Sequence, residues 1–276
     1  MSERILVTGG TGTTGSRVAR RLAERNIPVA VGTRRPSTDH EVRFDWTDPA
    51  SAAAFENARA AYLVAPTDRT DHLSLMRPIL KQAMALGTRR FVLLSASQFV
   101  PGGPMMGEVH AWLADNAIEW AVLRPSWFMQ NFSEGPHGRT IREESAIYSA
   151  TDTGRVGFIS ADDIAEAAVA SLTAERSLDG ESVLTGPEAM SYDDVARLAS
   201  NMLSRPIRHV KLDTEELVQR HMALGMSRGY AEALARLDEV IRLGGEDRTT
   251  DQVPRLTGRA AISFRRFAKD SLSFWR

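Results

Sequence analysis

The 276-residue chain contains no cysteine, which excludes disulfides, thiolate zinc sites, iron–sulfur ligation and a cysteine nucleophile together. Redox chemistry would need a borrowed cofactor, and no metal is expected. Lysine is scarce: Lys81, Lys211 and Lys269 are the only ones. The 34 basic residues face 35 acidic ones, and a net charge of −1 lacks the positive field that non-specific nucleic-acid binding requires. No nucleic-acid partner is expected. Long apolar runs are missing too: the longest, around Ala60 to Ala65 and Phe91 to Leu94, fall far short of the roughly 20 residues of a membrane helix. The start, Met-Ser-Glu-Arg and then Ile5-Leu6-Val7, has no apolar region of the kind a secretory signal uses, so a cytoplasmic protein with no membrane partner is expected. Glycine (20) and proline (12) are near average usage, which removes collagen-like and low-complexity classes.

What is present is a regular alternation of strand and helix signals. Arg4 to Thr8 reads as a buried strand, Thr14 to Arg25 as a helix closed by Asn26, and Val29 to Gly32 as a second strand. The pattern continues through a possible strand at Glu41 to Phe44, a helix near Pro49 to Phe55 and a strand at Ala61 to Ala65. A helix from Asp71 to Leu86 follows, with a kink or late start expected at Pro78. Phe91 to Leu94, Gly107 to Asp115 and Trp120 to Leu123 complete a strand–helix–strand unit. This alternation predicts an α/β fold with a doubly wound parallel sheet.

After Pro125 the pattern loosens, and residues 126 to 155 read as a long functional segment. Val156 to Ile159 and Ser182 to Thr185 read as strands around a helix capped at Ser160-Ala161-Asp162-Asp163. From Met190 the chain is mostly helical, with a second cap signature at Ser191-Tyr192-Asp193-Asp194 and one strand near Ile207 to Leu212. No repeat is visible. The expected division is a nucleotide-binding domain, residues 1–135 plus 156–186, and a smaller, mostly helical C-terminal lobe, residues 136–155 plus 187–276.

Directly after the first strand stands Thr8-Gly9-Gly10-Thr11-Gly12-Thr13-Thr14-Gly15. Glycines at 9, 12 and 15 provide a tight turn, a bare backbone for pyrophosphate at a helix N-terminus, and close helix-to-strand packing. In its strand–turn–helix setting this predicts dinucleotide binding by Gly9, Thr11, Gly12, Thr13, Thr14 and Gly15. The second strand ends Thr33-Arg34-Arg35, where an NAD site would carry an acid, and Asp39 comes too late to serve. Arg34 first, and Arg35 second, therefore favour the 2′-phosphate of NADP(H). Asp45-Trp46 could hold adenine by a polar contact and stacking.

Reductases on such folds often pair a tyrosine with a lysine four residues later, the lysine lowering the tyrosine's pKa. That pair does not exist here: four residues beyond Tyr62, Tyr148, Tyr192 and Tyr230 stand Pro66, Asp152, Ala196 and Leu234. The phosphate loop, Phe91-Val92-Leu93-Leu94-Ser95-Ala96-Ser97, the segment Leu123 to Phe132 and Gly157 to Ala165 resemble the NmrA-like branch of the atypical short-chain dehydrogenases. Trp127-Phe128, and Leu256-Thr257-Gly258-Arg259 before Phe264, are similar to the reductases of ergot alkaloid biosynthesis and their bacterial relatives.

The resemblance implies an NADPH-binding Rossmann domain with a small C-terminal lobe. Members of the branch are reductases of quinones, imines or enones, or redox-sensing regulators without turnover. It also implies that Ala65-Pro66-Thr67 pass along the ribose and that Ser95-Ala96-Ser97 approach the nicotinamide ribose. Pro125, Trp127 and Phe128 would wall the nicotinamide and substrate pocket. No general acid transfers with it. His110 on its helix is a candidate proton donor or substrate anchor, with a hydrogen-bonded border histidine as the bland alternative. Ser97 is a candidate donor or a turn cap, and Phe132 a further substrate contact or core. Leu224, Met226, Tyr230, Leu234, Leu237 and Ile241 follow helical spacing and read as core or lid. The expectation is a monomeric or homodimeric NADPH-dependent reductase of a small, flat, apolar electrophile. Its rival is an NADP(H)-sensing binding protein.

Overall fold

The apolar runs of the first half become strands because both faces are covered: Ile5, Leu6 and Val7 are all fully buried. The computed structural model describes residues 3–66 and 69–276, so Thr67 lies outside the described residues. Along the chain run β1 (Arg4–Val7), α1 (Gly15–Glu24), β2 (Val29–Thr33), β3 (Glu41–Arg43), β4 (Ala58–Leu63), α2 (His72–Ala85) and β5 (Arg90–Leu94). Next come α3 (Met106–Asn116), β6 (Glu119–Pro125), α4 (Pro136–Glu144), β7 (Ala146–Ser149), β8 (Arg155–Val156), α5 (Ala161–Thr173) and β9 (Gly180–Leu184). The rest are β10 (Met190–Ser191), α6 (Tyr192–Leu203), β11 (Arg208–Lys211), α7 (Thr214–Ala223), α8 (Arg228–Arg242), α9 (Gln252–Thr257) and α10 (Phe264–Asp270). Two units form. Unit 1 is Met1–Pro125, Ala161–Leu184 and Gln252–Arg259; unit 2 is Ser126–Ser160, Thr185–Asp251 and Ala260–Arg276.

Unit 1 is a seven-stranded, all-parallel sheet in the order β3-β2-β1-β4-β5-β6-β9, a Rossmann-type arrangement. The order reverses between β1 and β4, the switch point beside which such sheets bind ligands. On one face Leu6, Leu63, Phe91 and Leu93 pack with Ile79 and Leu80 of α2 and Val109 and Leu113 of α3. On the other, α1 and α5 lie together and α9 packs on α5. An ion ladder ties these three: Arg21 donates to Asp162 (2.6 Å) and Glu166 (2.7 Å), Arg25 to Glu166 (2.7 Å), and Arg259 reaches Glu166 at 3.0 Å. The α2 helix begins at His72 and runs on through Pro78, so the late start does not occur. Pro49–Phe55 is a 3₁₀ helix, capped by the Asp48 carboxylate accepting from the Ala50 amide.

Unit 2 has two small sheets, β7 parallel to β11 and β8 antiparallel to β10. Of the strand expected at Val156 to Ile159, Val156 pairs in β8 and Ile159 forms a lone bridge with Phe128. Phe132, Phe158, Tyr192 and Phe264 interlock with ring centroids 5.2–5.7 Å apart, and the Trp275 indole donates to the Phe132 carbonyl. A polar chain pins β7 and β11 to α6: Asp193 to His209 Nδ1 (3.0 Å), His209 Nε2 to Ser149 Oγ (2.8 Å), Ser149 Oγ to Thr151 Oγ1 (2.7 Å). Ser149 is buried, so this chain is structural despite its triad-like order. Residues 126–135 and 156–160, expected with the nucleotide-binding part, group with unit 2, because Phe132 and Phe158 join its aromatic core. Residues 252–259 return to unit 1, where Val253 is buried.

The ion ladder carries a test. Burial alone would raise the Glu166 carboxyl, but the Arg21 hydrogen bond and the Arg25 and Arg259 charges hold it below the usual range. A depressed folded-state pKa stabilises above the unfolded value and loses that contribution as pH falls through it. Glu166→Gln is expected to cost about 1–2 kcal/mol near neutral pH, the exposed partners contributing little. The gap from the parent protein should close as pH drops below about 4.5, read by urea denaturation at a series of pH values.

Candidate functional site

The turn between β1 and α1 is built by contacts that only glycine permits. Gly9 has φ +58°, and a Cβ on Gly15 would lie 2.2 Å from the Gly9 carbonyl oxygen. Thr8 locks the turn to the neighbouring strand, its hydroxyl donating to the Tyr62 carbonyl (3.0 Å) and accepting from the Val64 amide (2.8 Å). Gly12 differs: an added Cβ would meet only the Gly9 carbonyl, at 3.2 Å, and would otherwise enter the open space above the helix. Thr11, Gly12 and Thr13 are exposed, whereas Thr14 and Gly15 are buried. The Thr14 side chain caps nothing; in the first turn of α1 the Ser16 amide donates to the Gly12 carbonyl at 3.0 Å, and no side chain covers the helix N-terminus. A bare-backbone cradle at a helix N-terminus fits a dinucleotide pyrophosphate.

Arg34 and Arg35 are exposed immediately after β2. Asp45 accepts from the Thr47 amide (2.9 Å) and hydroxyl (2.8 Å), which together with the Arg34 and Arg43 charges hold its carboxyl below the usual range. Trp46 corrects an expectation: its indole donates to the Val64 carbonyl (2.8 Å) and packs edge-on to Phe44 in the core, leaving no face for adenine. Ala65 is buried after β4, and the Pro66 carbonyl accepts from His72 Nε2 at 3.0 Å. Ser95, at the end of β5, is buried with its hydroxyl unpartnered, an orphan suited to a ribose or amide group. The Pro125 carbonyl is occupied by the Ser97 amide (2.9 Å). Ser97 is enclosed, and its own carbonyl accepts from Arg124 (2.6 Å).

His110 is 2% exposed at the border of α3 and β6, its ring 5.5 Å from Trp120 and its Nδ1 3.5 Å from Glu181. Burial pushes its pKa down, against the pull of Glu181. His110 is enclosed at that border, but its Nδ1 has no hydrogen-bond partner, unlike the hydrogen-bonded border histidine of the bland alternative.

Unit 2 holds a cavity of about 360 Å³ bordered by Trp127, Tyr148, Tyr192 and Tyr230 and by Leu217, Leu224, Met226, Leu234 and Leu237. Of the expected substrate contacts, Trp127 borders this cavity, Phe128 does not, and Phe132 is wholly buried behind His137, on which it stacks at 5.0 Å. Ile241 is core, so the apolar stripe divides between lining and packing. The titratable wall residues were not visible in the sequence pattern. Arg220 reaches both Glu144 oxygens at 3.0 Å and covers the Tyr148 ring at 3.5 Å. Burial pushes His137 down to about 4 and lowers His221. Asp238 accepts from the Ala150 amide (2.9 Å), yet burial pushes its carboxyl up to about 6. An acid at position 238, four residues beyond Leu234 on an apolar helix stripe, was the available signal.

The turn geometry separates two glycines experimentally. Gly15→Ala should both destabilise the apoprotein and abolish NADPH binding. Gly12→Ala should cost the apoprotein less than about 1 kcal/mol while weakening NADPH about tenfold or more, checked by thermal melts and calorimetric titration.

Residues 9–175 match the NAD(P)H-binding family. The chain is 40% identical over 275 residues to the uncharacterized oxidoreductase YesF of Bacillus subtilis (strain 168), covering 98% of this chain and 96% of that one. It is 39% identical over 289 residues to an agroclavine dehydrogenase of Claviceps fusiformis, covering 98% of both. In fold it is similar to an Escherichia coli NADPH-dependent quinone oxidoreductase complexed with NADPH, with a TM-score of 0.83 at 19% identity over 96% of this chain and 99% of that one. With its glycine cradle at the switch point and whole-length relatives among oxidoreductases, the chain belongs to the NAD(P)H-binding family and is an NAD(P)H-dependent oxidoreductase.

Proposed function

We propose that the chain is an NADPH-dependent reductase that passes hydride to a small, flat, apolar electrophile, an iminium, quinone or conjugated enone, without a tyrosine–lysine acid pair. It works in the cytoplasm as a monomer or homodimer. The observation that carries this reading over a nucleotide sensor is the aromatic-lined cavity of unit 2, a concave pocket where a flat docking surface would suffice for a sensor. The agroclavine dehydrogenase among the relatives supports oxidoreductase chemistry on a small molecule.

The chemistry that NADPH supplies is one hydride, both electrons of a nicotinamide C–H bond going to the electrophilic carbon and NADP⁺ remaining. The chain's residues bind and position. The α1 amides and the Gly12 gap receive the pyrophosphate, Arg34 with Arg35 pairs with the 2′-phosphate, and Ser95 donates its free hydroxyl to the nicotinamide side. Trp127 and the tyrosines order the substrate ring and exclude water, so positioning supplies most of the rate. Phe128, half-buried three residues beyond the Pro125 strand end, remains a second candidate wall. An iminium becomes an amine on hydride alone, which makes an acid dispensable. Ser97 and His110, enclosed by packing, brace the β5–β6 edge.

Parallel titration with NADPH and NADH, followed by a quinone, a cyclic imine and an enone, tests the reading. Consumption of NADPH by one class is expected; tight binding without consumption would favour the sensor. Arg34→Glu should weaken NADPH about tenfold or more and leave NADH unchanged. Trp127→Ala should lower kcat/KM about tenfold while NADPH affinity stays within about twofold, and equal effects on both would remove Trp127 from the pocket.

A further inference from the structure

We propose that Asp238 is the specificity-determining residue of the unit 2 cavity, its carboxylate serving as counter-charge to a cationic ring nitrogen, an iminium before reduction and a protonated amine after it. The inference rests on the reading of this cavity as the substrate site.

The argument is one of uncompensated charge. Asp238 follows Leu234 by one helical turn on a face of α8 that is otherwise apolar toward the cavity. A leucine there would extend the stripe at no polar cost, whereas a carboxylate placed among apolar side chains is costly unless paired. One oxygen accepts the Ala150 amide at 2.9 Å, and no arginine, lysine or histidine pairs with Asp238 among the described residues. The cations on the same wall are accounted for otherwise. Arg220 is engaged by Glu144 and by the Tyr148 ring, and Arg139 is exposed to solvent. Burial pushes His137 down to about 4 and lowers His221, disfavouring the charged form of each.

Asp238 is therefore a lone anion in a cavity that Trp127, Tyr148, Tyr192 and Tyr230 also border. Aromatic faces together with one carboxylate are the surroundings in which organic ammonium and iminium ions are recognised. The raised pKa agrees: a carboxyl pushed up to about 6 by burial, with only an amide as partner, is ionised at neutral pH, and a bound cation would draw it lower. A neutral quinone gains nothing from that charge, so discrimination between the two substrate types resides here.

The experiment compares the full-length protein with Asp238→Asn, which keeps an acceptor for the Ala150 amide, and Asp238→Glu, which keeps the charge. Three probes are used with NADPH present where turnover is measured: N-methyl-dihydroisoquinolinium, menadione as a neutral quinone, and N-methyl-tetrahydroisoquinoline, the reduced and protonated amine, for calorimetry. Asp238→Asn is expected to weaken amine binding about tenfold or more and to raise KM for the iminium by a similar factor. Its menadione kinetics should stay within about twofold of the parent protein, and Asp238→Glu should retain part of the preference. Amine binding that is absent in the parent protein or unchanged in Asp238→Asn overturns the proposal. So does an equal loss on all three probes with a lowered melting temperature, which would mean a packing role. A loss confined to menadione kcat, with its pH profile shifted, would make Asp238 a proton donor instead and also overturn it. If the amine binds through Asp238 while no electrophile consumes NADPH, the reductase reading fails and this assignment stands.

Discussion

The fit of α1 against the end of β1 is the constraint on which the nucleotide-binding half depends. The Gly15 α-carbon lies so close to the Gly9 carbonyl that no side chain can stand between them. Thr8 fastens that turn to β4, the strand across the switch point. The helix axis is thereby aimed with its uncapped N-terminus outward, and the partial positive charge of the terminus comes with it. The remaining helices of that face then have to accept α1 where the turn puts it. Arginines on one side of α1 meet Asp162 and Glu166 on α5, which converts a geometric requirement into a set of charge-assisted hydrogen bonds.

Unit 2 is organised on another principle, the disposal of charge. Its aromatic core is closed, with the Trp275 indole spent on the Phe132 carbonyl. Its polar chain from Asp193 to Thr151 is fully partnered. Arg220 is neutralised by Glu144 and seated on Tyr148. Against this near-complete satisfaction Asp238 stands out, a carboxylate with one amide donor and no cationic partner among the described residues.

Legibility in the sequence followed range. The glycine spacing, the arginines at the end of β2 and the two helix caps are local patterns, and the Ser191–Asp194 capping box forms as its residues suggest. Trp46 lies in the core rather than against adenine, and Phe132 takes the core alternative, because an aromatic beside a strand end can face ligand or core with the same local sequence. Phe132 closes the turn Met129–Phe132 and points into the core, while Trp127, before that turn, borders the cavity. The cavity itself was beyond sequence reach. Its apolar stripe at 224 to 237 was visible, but Arg220 meets Glu144 across 76 residues of chain, and no spacing rule connects them. Strand Val156–Ile159 was overextended because an apolar run shows burial, not pairing.

Every side chain bordering the cavity lies between positions 127 and 238, and none belongs to the glycine turn or to β2 and the arginines that follow it. Several are leucine or methionine on α7, α8 and their connection, residue types whose exchange for one another costs a core less than about 1.5 kcal/mol. The cavity's shape can drift through such exchanges while the dinucleotide turn, rigid to a single methyl group at Gly15, stays fixed. The architecture thus tolerates exchange around the cavity and forbids it at the glycine turn, so diversification into new occupants would be recorded in α7 and α8.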